Sequence, residues 1–198
     1  MKNLAFPINF KFRVSTLAND FTATDADGRV VAYVRQKMFK LKEAITIYSD
    51  TTKSEILYTI QANKWLDWSA AYAMTDVNGN QLGKIARKGW RSLWKAEYAI
   101  IDQNNNHQYT CKEASAFSRI ADSVVGEIPV LGFFTGYLFN PTYNVIDNNG
   151  DIVARLKKEQ SMLGRKFQVI KLTDLDPDDK ERIMLGLMML VLLERRRS

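Results

Sequence analysis

The sequence predicts a mainly β fold, a closed antiparallel barrel of about twelve strands enclosing a hydrophobic C-terminal α-helix, with a short helical insert near residues 115–127. Three observations lead there. A hairpin pattern recurs four times, alternating strand-length runs fill much of the remaining chain, and the most apolar stretch comes last. At 198 residues the chain is expected to form a single domain over 1–198.

The closing stretch, "KERIMLGLMMLVLLERRRS", runs from Lys180 to Ser198. Its uninterrupted apolar part, Ile183 to Leu193, would be ~16 Å long as a helix, against ~30 Å of bilayer hydrocarbon. It is therefore too short to span. It is also apolar on every face, which marks a helix surrounded by protein. Asp176 or Asp178 is the expected N-cap, with Pro177 in the first turn. Carboxylates precede the helix and Arg195, Arg196 and Arg197 end it, matching the helix dipole.

Such a helix needs a container. "FTATDADGRVVAYVRQK", "YAMTDVNGNQLGKIARK", "YAIIDQNNNHQYTCKE" and "YNVIDNNGDIVARLKKE" share one pattern. In each, an aromatic residue (Phe21, Tyr72, Tyr98, Tyr143) stands four places before an aspartate (Asp25, Asp76, Asp102, Asp147). A Gly/Asn-rich turn and a second alternating run follow. Asn78-Gly79 and Asn149-Gly150 suggest tight primed hairpin turns. Ala32, Gly83 and Ala154 occupy equivalent places, with Val34, Ile85, Cys111 and Leu156 two residues later, so period-two alternation puts them on one inward face. Tyr33, Lys84 and Arg155 fall on the other. Further strands are expected at Asn9–Ser15, Glu43–Ser49, Glu55–Gln61, Lys95–Ile101 and Lys166–Leu172. The resulting strand number exceeds the roughly eight whose own side chains fill a barrel, so room remains for a helix.

These features together resemble the tubby C-terminal-like superfamily, and within it the LURP-one-related and phospholipid scramblase-like branch. "GEIPVLGFFTGYLFNPTYNVID" is similar to the LURP-one-related kind, and "KLTDLDPDDKERIMLGLMMLVLLE" to the acidic-then-apolar ending of scramblases. The resemblance implies the helix-filled barrel and suggests a lipid scramblase or lipid-transfer activity. It also implies a calcium-binding segment near Thr173–Asp179, where this chain keeps only scattered aspartates; Asp174, Asp176 and Asp178 are the calcium candidates.

An up-and-down path assigns every connection to one end of the barrel. The aspartate-led turns define an acidic end. "RQKMFKLK", "RKGWRSLWK", "KKEQSMLGRK", "NKWLDW" and the insert fall at the other. That end is expected to gather Arg35, Lys37, Lys40, Arg87, Lys88, Arg91, Arg155, Lys158, Arg165, Lys166, Arg195 and Arg196. Trp65, Trp68, Trp90, Trp94, Phe133 and Phe134 lie in the same connections. Two readings stand side by side: the aromatics seal the barrel mouth over the helix, or cations and indoles together dock on an anionic membrane surface.

Catalytic signals are few. The chain has one histidine and one cysteine, which excludes a disulfide framework and a cysteine metal cluster. His107 sits in "QNNNHQ", read as a solvated turn, and Cys111 reads as a small buried hydrophobe. There is no Walker loop, G-x-S-x-G or dinucleotide fingerprint. D-x-N-G could begin a calcium loop, but a strand follows directly and no liganding glutamate lies downstream. The expectation is a protein that is not an enzyme, has no cofactor and carries no transmembrane span. Its N-terminus lacks the pattern of a secretion signal, so a cytoplasmic place, peripheral to the inner membrane face, is expected. The formal charge of +6 suits an anionic partner. The leading reading is a binding module for phospholipid headgroups or another phosphorylated ligand. A scramblase or lipid-transfer protein is the alternative, and a nucleic-acid binder the second.

Overall fold

A computed structural model describes residues 4–13, 19–36, 44–62, 71–88, 97–114, 141–159, 161 and 166–195. The twelve strands found among them are β1 (Ile8–Phe12), β2 (Asp20–Thr24), β3 (Val30–Gln36), β4 (Ala44–Tyr48), β5 (Ile56–Ala62) and β6 (Ala71–Asp76), then β7 (Gln81–Lys88), β8 (Glu97–Asp102), β9 (His107–Glu113), β10 (Thr142–Ile146), β11 (Ile152–Glu159) and β12 (Lys166–Lys171). Each pairs antiparallel with its neighbours in the chain. β1 then pairs with β12, from Ile8↔Val169 to Lys11↔Lys166, and closes the barrel. One helix, α1 (Pro177–Arg195), follows. The insert expected near 115–127 lies outside the described residues.

The hairpins share one device. In four of them the leading aspartate (Asp25, Asp76, Asp102, Asp147) accepts two N–H bonds from its own turn on carboxylate Oδ1, at 2.8 to 3.1 Å. Its main-chain carbonyl also accepts the N–H three residues on, from Gly28, Gly79, Asn105 or Gly150. Those four residues alone take positive φ in these turns, and each hairpin shifts register one step before its aspartate. This is a type I turn closed by a left-handed bulge rather than the primed turn expected from Asn-Gly: Asn78 and Asn149 stay at negative φ because the carboxylate holds their N–H groups.

A fifth hairpin, between β4 and β5, belongs to the same set. Asp50 accepts the Thr52 N–H at 2.7 Å and the Thr52 and Ser54 hydroxyls, while Lys53 takes the left-handed place at φ +63°. A lysine there costs ~1–2 kcal/mol relative to a right-handed conformation, which glycine avoids at an entropic cost of ~0.5–1 kcal/mol. Lys53→Gly should therefore raise the unfolding free energy by about 0.5 kcal/mol in urea titrations.

The turn carboxylates carry a pH signature. Burial pushes the Asp25 and Asp102 carboxyls up, but the donors from Arg29 and from Asn106 and Gln108 outweigh it and hold both below the usual range. The Asn80 amide does the same for Asp76. Folded values below the unfolded ~3.9 mean this stabilisation is present above about pH 4 and lost as pH falls through the folded values. Stability should decline below about pH 4 in denaturant titrations, and less steeply in Asp76→Asn, which keeps an acceptor that cannot titrate.

Alternation builds the interior. Phe10, Phe21, Val34, Ile47, Ile60, Met74, Ile85, Ile100, Cys111, Val145, Leu156 and Val169, one from each strand, are all essentially inaccessible. Inside them runs α1, with Ile183–Leu185 and Leu187–Leu192 buried on every face. Each such side chain contributes ~1.5–3 kcal/mol relative to exposure. Asp176 takes the N-cap position, its carbonyl accepting the Lys180 N–H at 2.9 Å, and Pro177 opens the first turn.

Helix and wall come closest at β7 and β8. A Cβ on Gly186 would lie 3.0 Å from Ile100 Cδ1 and 3.7 Å from Ile85 Cδ1. On the wall, Gly83 takes φ +144°, and a Cβ there would collide with the Ile101 carbonyl oxygen. Its smallness thus serves its own strand pairing as well as the helix. Gly186→Val should cost about 1–3 kcal/mol by thermal or urea unfolding. Adding Ile100→Ala should recover part of that loss, a coupling that distant sites would not show.

Candidate functional site

Strand order places every turn led by an aspartate, and the start of α1, at one end of the barrel. β1, β3, β5, β7, β9, β11 and α1 all finish at the other end.

Of the cations expected at this second end, Arg35 is the penultimate residue of β3, opposite Asp20 in register. Arg87 and Lys88 end β7, Lys158 lies near the end of β11, Lys166 opens β12 and Arg195 ends α1. They do not all face one way. Arg87 is in register with Tyr98 and Lys158 with Phe167, both inward-facing core residues, so these two cations line the inside of the mouth. Lys166 is exposed on the wall's outer side. Arg155 departs from the expected rim: paired with Asn144 and Ile170 in mid-strand, it sits halfway along the outer wall. Lys37, Lys40, Arg91, Arg165, Arg196, the four tryptophans, Phe133 and Phe134 lie outside the described residues.

The outer wall near this end carries a cluster around Tyr33, which alternation places on the face away from the helix. Tyr33 is 2% exposed, donates its phenol hydrogen bond to buried Asp20, and lies under the Arg13 guanidinium, 5.3 Å from the ring centroid. Burial and the Asp20 carboxylate push the Tyr33 phenol up.

At the acidic end, polar contacts seat the helix in the mouth. Tyr58 donates to Glu181, and Tyr109 donates to Asp179 at 2.8 Å, whose other oxygen meets Arg182 at 2.7 Å. Burial first, then the carboxylate partner, raises both phenols well above their usual value. Beside this seat lies an open hollow of about 480 Å³, bordered by Leu57, Tyr58, Val77, Leu82, Asp178 and Glu181. Tyr58→Phe removes a donor from a buried carboxylate and should cost about 1–3 kcal/mol in urea unfolding, with little change in the folded state's circular dichroism.

The remaining candidates make the following contacts. Asp174 is drawn to Lys171 Nζ at 2.6 Å, which holds its carboxyl low, and Asp176 stands at the N-cap position through its main-chain carbonyl. Among the described residues no three His, Cys, Asp or Glu side chains converge as a metal site would require. His107 is not an idle turn residue. Its Nδ1 lies 2.8 Å from Asn148 Oδ1 and its carbonyl accepts from Asn148 Nδ2 at 2.9 Å, tying β9 to the turn before β11. Cys111 is fully buried, and desolvation pushes its thiol up to about 12, away from nucleophilic chemistry.

A sequence profile of the LURP-one-related family matches residues 30–173. The chain belongs to the LURP-one-related family. That family is a branch of the tubby-like superfamily, as the barrel and its enclosed helix also indicate. The matched span covers β3 to β12, while the strands that close the barrel, β1 and β2, and the helix that fills it lie beyond. Tubby-like domains are generally non-enzymatic and lipid- or ligand-directed. Neither a curated protein nor a solved structure matches this chain. No helix among the described residues is long and apolar enough to cross a membrane.

Proposed function

We propose that this LURP-one-related chain is a non-enzymatic binding module that contacts anionic phospholipid headgroups, or another phosphorylated ligand, through the barrel end where the odd-numbered strands finish. What supports this reading is the set of cations at that end, which stand beside the carboxylates Asp20, Glu97, Glu113 and Glu159. Arg35, Arg87, Lys88, Lys158, Lys166 and Arg195 belong to one end, and the aspartate-led turns to the other. The sequence of the connections at the first end adds all four tryptophans and further lysines and arginines. Cations near an anionic bilayer contribute ~1 kcal/mol each, and indoles favour the headgroup region. A lipid path through the barrel finds no support, because α1 occupies the interior.

Liposome flotation tests the proposal. Recovery with vesicles containing acidic lipid should exceed recovery with zwitterionic vesicles and fall as salt rises. Replacing Arg87, Lys88 and Arg91 by glutamate together should abolish the difference. Equal recovery on both vesicle types, or full binding by the triple variant, would refute it.

A further inference from the structure

We infer that the hollow at the acidic end is a docking site for a basic peptide segment that carries an apolar side chain beside its Arg or Lys residues. The first observation is Val77. In the five aspartate-led turns, the residue after the aspartate is Ala26, Thr51, Val77, Gln103 or Asn148. Val77 alone is large and apolar, it is 62% exposed, and the turn geometry asks for nothing apolar there. It borders the hollow with Leu57 and Leu82, both partly buried, and with the Tyr58 ring. Ile56, just before Leu57, is 42% exposed. An apolar floor left open beside the barrel mouth is a surface that a partner side chain can cover.

Charge complementarity names that partner's chemistry. Among the described residues that border the hollow, Asp76, Asp178 and Glu181 are acidic, Glu181 accepts from Tyr58, and Arg182 is paired with Asp179. Asp76 stays ionised because the Asn80 amide and its own turn N–H groups hold its carboxyl low. A guanidinium or ammonium is favoured there and an anion is not. The barrel closes through β1 and β12, so it offers no strand edge, and recognition must run through side chains in the hollow. Its volume of about 480 Å³ falls in the ~300–1,000 Å³ range of binding pockets. It lies at the opposite end from the proposed lipid contact, so the two contacts need not compete.

Fluorescence anisotropy with a labelled peptide alternating arginine and leucine tests the inference, alongside arginine–serine and glutamate–leucine counterparts. The arginine–leucine peptide should bind saturably, and the other two about tenfold more weakly or not at all. Asp178→Lys should weaken binding about tenfold and Val77→Ser several-fold. Asp27→Lys, on a turn outside the hollow, and Arg87→Glu, at the other end, should leave binding unchanged, with thermal unfolding confirming that all variants fold. Absence of saturable binding, equal affinity for the arginine–serine peptide, or equal loss in Asp27→Lys and Asp178→Lys would overturn it. Because Arg87→Glu is neutral here, failure of this site and failure of lipid docking are read separately.

Discussion

The burial of α1 inside the sheet is the constraint from which the other features follow. Twelve strands enclose more space than their own inward side chains fill, and the apolar rod from Ile183 to Leu192 occupies that space. Without it the barrel would be hollow; without the barrel, the rod would present apolar side chains to water on all sides. Each therefore requires the other. The helix then imposes direction, since it enters among the aspartate-led turns and leaves where the odd-numbered strands finish. A closed meander with one axial helix has two chemically distinct ends, and both functional inferences rest on that polarity.

The seating of the helix is asymmetric. At the acidic mouth, phenols and carboxylates fix depth and rotation through Tyr58–Glu181 and the Tyr109–Asp179–Arg182 chain. Midway, Gly186 lets the backbone approach Ile85 and Ile100. These are different kinds of contact, one directional and one steric, and together they select a single register from the many that a uniformly apolar helix would tolerate. Burying Glu181 and Arg182 is costly unless they are bonded, which is why their partners come from the wall and the helix's own first turns.

Much of this was legible in the sequence, for physical reasons that also explain the misses. Four hairpins announced themselves because aspartate, two residues and a glycine or asparagine encode a left-handed bulge. The fifth, "SDTTKSE", was hidden because Lys53 holds the left-handed place without the usual residue type. The helix was readable from its length and all-round apolarity, yet Gly186 carried no signal, since close approach depends on what faces it. The inward register of Arg87 and Lys158 was obscured because charges at strand ends ordinarily face water. Tyr58 and Glu181 stand 123 residues apart, and no local pattern joins them. The hollow was invisible for the same reason: β5, β6, β7 and α1 all contribute to it.

Amide hydrogen exchange along α1 tests the enclosed helix most directly. If the sheet surrounds it, the amides from Ile183 to Leu192 can exchange only when the barrel opens. They should then exchange at the rate of the slowest amides in β7 and β8 and follow global stability as urea is added. Exchange of those helix amides well before the strand amides, with a weak dependence on urea, would mean that the helix leaves while the sheet stays intact, and would contradict the account.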